Sequence, residues 1–214
     1  MKPYYEQDGI TIYHGDARDV LPLISAEVLV TDPPYGVSFS GKVTKWTRGA
    51  EGYTTDDSAE IGPEVVKMAL PLVERGAVFT GHRNLMRYPE PNDIGSVFCP
   101  SGAGRGPWGF TLFNPILFYG KRPTIGMYPS SLMSFETAPS GVDHPCPKPT
   151  GWLKWLIGLV SVDGETVVDP FVGSGSTLVA ARELGRRAIG IEIEERYCEI
   201  AVQRLAQGVL EFDQ

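Results

Sequence analysis

Short apolar runs alternate along the chain with amphipathic segments. Residues 27–31 (EVLVT) form a run stopped at once by Asp32-Pro33-Pro34, the pattern of a buried strand ending in a turn. Residues 77–80 before Gly81, 166–169 before a glycine-rich turn and 188–191 before Glu192 repeat it, and 10–13, 96–99 and 114–119 are weaker strand candidates. Helical spacing is clearest near the C-terminus. Thr150 is suited to cap a helix carrying Trp152, Trp155, Leu156 and Leu159 at i, i+3, i+4 and i+7. Residues 176–184 read as a helix closed by Gly185. Residues 194–205 put Tyr197, Ile200, Ala201 and Leu205 on one face, with Glu194 and Glu195 in the first turn and Gly208 beyond the end. Strands alternating with helices predict an α/β fold, a mainly parallel sheet covered on both faces.

The middle breaks this rhythm. Residues 81–150 hold 11 of the 18 prolines, which predicts irregular loops and not a separate domain. With 214 residues, 42% hydrophobic, the chain can bury one core and is expected to be one domain, 1–214, with Pro/Gly-rich loops over 81–143. Cys99, Cys146 and Cys198 are an odd number with no C-x-x-C pair, which argues against a disulfide framework and fits a reducing cytoplasm. The longest apolar stretch, 152–162, contains Lys154 and is too short to span a bilayer. The N-terminus lacks the apolar core of a signal peptide. The expectation is a soluble cytoplasmic protein with no membrane partner.

Charge opposes one class of partner and then partly readmits it. Nineteen Lys and Arg against 26 Asp and Glu give −7, the wrong sign for a nucleic-acid binder, whose affinity rests on phosphate contacts. The distribution is uneven. Residues 36–50 carry Lys42, Lys45 and Arg48 without an acid, and 101–131 carry Arg105, Lys121 and Arg122 without an acid.

Two segments carry candidate chemistry. In 168–177 (VDPFVGSGST) a strand runs through Gly173 and Gly175 into a helix, which offers free backbone N–H groups and a positive helix end to a ligand. Glu192, at the end of the next strand, is suited to accept hydrogen bonds from a ribose. Leu178 stands where a dinucleotide fingerprint wants a third small residue, and there is no Gly-Lys-Ser/Thr, so an adenosyl cofactor leads and a P-loop is excluded. In the other segment, Asp32-Pro33-Pro34-Tyr35, the prolines remove N–H groups. The Asp32 carboxylate and the Pro33 carbonyl can then act as paired acceptors for an amine, with Tyr35 as a flat stacking face.

Together these segments resemble the amino-group DNA methyltransferases that use S-adenosylmethionine, in the permuted order with the catalytic tetrapeptide first. Residues 11–16 (TIYHGD) match the acidic adenine-contacting segment and 144–149 (HPCPKP) the "HP-x-x-KP" segment. Residues 169–177 match the cofactor loop and 191–201 the ribose-binding strand and following helix. The resemblance implies a Rossmann-like class I methyltransferase fold of seven strands, one antiparallel, with 1–143 as the target-base half and 144–214 as the cofactor half. It implies that Asp32, Pro33 and Pro34 hold the target amine, with Tyr35 on a base flipped from the duplex. It implies S-adenosylmethionine against Asp169, Phe171, Gly173, Gly175, Ser176 and Thr177, with Glu192 on the ribose, Asp16 on the adenine edge and Lys148 near the methionine carboxylate. Transfer would be a direct in-line displacement, to adenine N6 in preference to cytosine N4 and without a metal.

Other readings compete. A cytosine-carbon enzyme needs a cysteine nucleophile, but Cys146 falls inside the "HP-x-x-KP" segment. Relatives acting on RNA or on protein amides more often show Asn in place of Asp32, and a silent binding module has no need of an intact tetrapeptide and glycine turn. His82, after the strand ending at Thr80, reads as a structural histidine. Only about two dozen residues, 120–143, stand where permuted relatives insert a recognition domain, well below domain size. DNA contacts are therefore expected from Lys42, Lys45, Trp46, Arg48, Arg105 and Trp108, with relaxed specificity or dependence on a homodimer or partner. No nuclease motif is apparent, which fits a restriction–modification methylase acting with a separate nuclease or a solitary one of phage or mobile-element origin.

Overall fold

In a computed structural model of the chain, the residues described are 1–36, 59–100, 104–106, 108–123, 128–136 and 147–210. The first half supplies β1 (Tyr5–Gln7), β2 (Ile10–His14), α1 (Ala17–Val20), β3 (Val28–Thr31), α2 (Ile61–Ala69), β4 (Arg75–Phe79), α3 (Gly81–Asn84) and β5 (Asp93–Phe98). A small hairpin, β6 (Gly104–Gly106) and β7 (Gly109–Thr111), precedes β8 (Phe113–Tyr119) and β9 (Ser131–Met133). The second half is α4 (Thr150–Val160), β10 (Thr166–Asp169), α5 (Ser176–Glu183), β11 (Arg187–Glu192) and α6 (Glu195–Leu210).

One sheet runs in the order β1-β2-β11-β10-β3-β4-β8-β5-β9. Its inner seven strands, β2 to β5, are parallel except β8, which is antiparallel to both neighbours. That matches the expected seven with one reversed. The sheet has nine strands because β1 and β9 add three residues at each edge, too short and too exposed to leave a period in the sequence. β3 shows why the centre forms. Val28, Leu29 and Val30 are each 0% exposed, Val28 and Val30 toward the layer of α4, α5 and α6, and Leu29 toward α1 and α2. Burying each is worth about 1.5–3 kcal/mol, so the strand is covered on both faces.

Three local expectations need correction. Thr150 is the first helical residue of α4 and not its cap; Pro149 precedes it in an extended conformation and makes no side-chain cap. Gly208 lies inside α6, which continues to Leu210. Helix α2 was not expected, because Pro63 and Gly62 disguise the apolar spacing of Ile61, Val65, Val66 and Ala69. Pro63 falls in the first turn, where its missing N–H costs nothing. A Cβ on Gly62 would stand 2.8 Å from both Pro33 Cβ and the Tyr88 hydroxyl, so the bare backbone lets α2 pack behind the tetrapeptide.

The chain leaves β3 toward β4 on one side and leaves β10 toward β11 on the other. The crevice beyond the carboxyl ends of β3 and β10 is therefore the topological switch point, where open α/β sheets bind ligands.

Candidate active site

Thr31 ends β3 and Asp169 ends β10, and the Thr31 hydroxyl donates to Asp169 Oδ1 at 2.7 Å. The Phe171 backbone N–H donates to the same oxygen at 3.0 Å, and the Thr177 side chain is a further donor. Asp169, expected to line the cofactor pocket, is 1% exposed and ties the two strand ends to the start of α5. Thr177, 4% exposed, serves the same joint. Burial lifts the Asp169 carboxyl to about 6 despite its donors. A raised folded-state value favours the protonated form, so this group's share of stability is lost as pH rises from its ordinary 3.8 through about 6. Asp169→Asn keeps an acceptor without the charge. Relative to that variant, wild-type denaturation free energy should decline by on the order of 3 kcal/mol across that window; a pH-independent difference would contradict the assignment.

The tetrapeptide follows β3 directly. Asn84 Nδ2 donates to the Tyr35 carbonyl at 2.8 Å. Gly81, at φ +60°, lies against the Tyr35 ring, where a Cβ would come within 3.1 Å. The Tyr35 hydroxyl donates to Asp32 Oδ1, and the Lys148 ammonium donates to Asp32 Oδ2. Lys148 Nζ is also 3.5 Å from the Tyr35 hydroxyl and stands 5.4 and 5.5 Å from the ring centres of Tyr35 and Phe79. Pro33 is buried, and Asp32, Pro34 and Tyr35 are half-buried.

The cofactor half is assembled around the turn. Gly173 and Gly175 take left-handed angles of +50° and +82°. A Cβ on Gly175 would lie 2.8 Å from Ala201 Cβ, so this glycine admits α6 as well as leaving the turn open. Arg204 on α6 donates from one nitrogen to the Ser174 carbonyl at 2.7 Å, the Ser174 hydroxyl at 3.1 Å and the Ser176 hydroxyl at 2.9 Å. Ser176 is thus buried against α6. Glu192 is 9% exposed and accepts the Gly173 N–H at 2.8 Å and the Glu194 N–H at 2.9 Å; burial pushes its carboxyl above the usual range. The Gly15 N–H bonds the Glu192 carbonyl at 2.9 Å, which brings Asp16 beside Glu192. Asp16 accepts the Arg18 backbone N–H at 2.8 Å, and its bonds from the Arg18 side chain hold its carboxyl below the usual range. Phe171 is half-buried at the turn.

Arg204, Asn84 and Gly81 were missed. A lone arginine three residues past Ala201 has no sequence mark, but glycine after a strand and an Asn in the next turn are visible signals. His82, expected to be a structural histidine, is exposed in α3. Lys42, Lys45, Trp46, Arg48 and Cys146 lie outside the described residues, as does the side chain of Arg105. Trp108 is fully exposed at the tip of the β6–β7 hairpin. That hairpin leaves the carboxyl end of β5, which is parallel to β4, so it projects from the same sheet edge as the tetrapeptide. Phe98, Phe113 and Met133 stand opposite one another across β8, β5 and β9 at this edge and are 38–64% exposed. Among the described residues, no helix is long and apolar enough to cross a membrane.

Residues 108–203 match the family model described as DNA methylase. A relative, the type II methyltransferase M.ScaI of Streptomyces caespitosus, is 26% identical over 95% of this chain and 84% of its own length. Over residues 108–203 the chain is thus similar to this family of DNA methylases. These similarities support an S-adenosylmethionine-dependent enzyme acting on an exocyclic amine of DNA, adenine N6 or cytosine N4. M2.DpnII of Streptococcus pneumoniae is 48% identical, over 29% of the chain and 23% of its own length. Among solved structures, the cytosine-N4-specific PvuII DNA methyltransferase aligns at TM-score 0.69 with 18% identity, covering 94% of the chain and 88% of its own. The complex of M1.HpyAVI with S-adenosylmethionine aligns at 0.66 with 20% identity, covering 92% and 99%. At these identities the structural likeness is one of fold.

Proposed function

We propose that the chain methylates a base swung out of the DNA duplex, adenine N6 ahead of cytosine N4, at the crevice between β3 and β10. The observation that carries this reading is the meeting of the Asp32 carboxylate and the glycine turn at one switch point, joined by the Thr31–Asp169 bond. The donor set suits an adenosyl cofactor. Glu192 is a buried carboxylate for a diol, Asp16 is a second acceptor on the adjoining strand end, and the first turn of α5 presents backbone N–H groups beside the half-buried Phe171. When bound, S-adenosylmethionine supplies the activated methyl group. The protein's own share is positional. Asp32, backed by the rigid Pro33 and Pro34, accepts hydrogen bonds from the target amine and so aims its lone pair, and Tyr35 bounds the ring of the base. As the nitrogen–carbon bond forms, the sulfur–methyl bond of the donor breaks and leaves a neutral thioether; the carboxylate stabilises the amine while it is cationic, and the surplus proton leaves to water.

The exposed aromatic side chains of the hairpin edge support contact with DNA opened at the target. Trp108, fully exposed at the tip of the β6–β7 hairpin, is the side chain suited to act as a wedge. The first half of the chain is then the target-base half and the second the cofactor half, in one domain. The test is product identity. Purified protein, methyl-labelled S-adenosylmethionine and unmethylated DNA are incubated, and the nucleosides are separated by mass spectrometry. Labelled N6-methyladenine is expected. N4-methylcytosine would change the base and keep the mechanism, carbon-5 label would overturn it, and label only in RNA or protein would move the substrate class.

A further inference from the structure

The resemblance assigns Lys148 to the cofactor's carboxylate, but the geometry assigns it elsewhere. Lys148 is 8% exposed and sits between Pro147 and Pro149 at the entrance to α4, so its backbone has little freedom. Its ammonium bonds Asp32 Oδ2 and lies 3.5 Å from the Tyr35 hydroxyl, which itself bonds Asp32 Oδ1. The Tyr35 and Phe79 rings flank it at 5.4 and 5.5 Å. Both oxygens of the catalytic carboxylate are therefore engaged by donors from the protein.

We infer that Lys148 is a positioning residue for methyl transfer: it holds the Asp32 carboxylate in one orientation, and it shares Oδ2 with the target amine when the base arrives. A carboxylate free to rotate next to the crevice would meet the amine in several orientations, of which few aim the lone pair correctly. The ammonium, held by two prolines and two rings, removes that freedom at the motif's least rigid atom. Asp32 accepts at more than one lone-pair site on each oxygen, so the amine can join without expelling the lysine. This inference rests on the proposed transfer to an exocyclic amine and adds a residue to it.

The experiment compares Lys148→Met and Lys148→Arg with wild type, alone and on an Asp32→Asn background. It measures S-adenosylmethionine affinity by calorimetry, thermal unfolding, and kcat and KM on DNA. Lys148→Met should lower kcat about 100-fold, the scale of a misplaced reacting group, with cofactor affinity unchanged. Lys148→Arg should recover part of that loss, and the loss from Lys148→Met should largely vanish on the Asp32→Asn background, because the lysine acts through the carboxylate. Weakened cofactor binding with kcat preserved would overturn the inference and return Lys148 to the cofactor's carboxylate. Equal losses with and without Asp32 would also overturn it. If Lys148→Met fails to fold, Lys148→Arg on the two backgrounds carries the same comparison. A wild type that binds cofactor but labels no nucleoside would instead refute the underlying function.

Discussion

Asp32→Ala should reduce methyl transfer by about 10³-fold or more while cofactor affinity stays at the wild-type value. In the proposed mechanism the carboxylate is the acceptor group of the tetrapeptide, and the turn proposed to receive the cofactor is built from other residues, Gly173, Gly175 and Glu192, on the far side of the Thr31–Asp169 bond. The substitution also takes a carboxylate partner from the mostly buried Lys148 ammonium, so a cost to stability of about 1–3 kcal/mol should accompany the loss of activity. Single-turnover rates and calorimetric titration of the cofactor separate the two effects. Turnover near wild type would remove Asp32 from the mechanism, whatever happened to stability.

Gly175→Val should cost both folding and cofactor binding, and in that order of cause. The residue sits at φ +82°, where a β-branched side chain is strained by about 1–3 kcal/mol. A Cβ would also drive into Ala201, 2.8 Å away, and overpacking of this kind costs about 1–3 kcal/mol more. From the sequence alone the glycine reads as space for a cofactor. In the structure it is also the point where α6 closes on the turn, so the substitution pushes on the helix that carries Arg204. Urea denaturation with and without S-adenosylmethionine distinguishes these. Unchanged stability with affinity lost would mean the space serves only the cofactor.

Much of this site was legible before any coordinates, for a physical reason. Strands such as 27–31 and 166–169 are buried on both faces, so burial forces a continuous apolar run, and the chemistry begins where the run stops. Asp32, Asp169 and Glu192 each end such a run. What was not legible depends on neighbours far along the chain. Asp169 looks like a ligand-facing acid and is instead a joint, because its donors Thr31 and Thr177 come from other elements. Lys148 looks like a cofactor contact and lies against Asp32, 116 residues away. Helix α2 escaped because its glycine and proline are used for close packing and for a first-turn position, the two uses that hide a helix from its own pattern.

The Thr31–Asp169 bond has a kinetic meaning as well as a geometric one. It joins residues 138 positions apart, across the pairing of β3 with β10. Contacts with that much intervening chain close slowly, because the loop entropy is lost before the contact returns anything. The crevice is therefore absent from any partly made or truncated chain that lacks β10, and β3 is left in such a chain as an open apolar edge available to other strands. A nascent chain emerging N-terminus first carries its catalytic tetrapeptide long before it can bind a methyl donor. Activity then waits until β10 has been made, and the exposed β3 edge is the place where aggregation competes with completion.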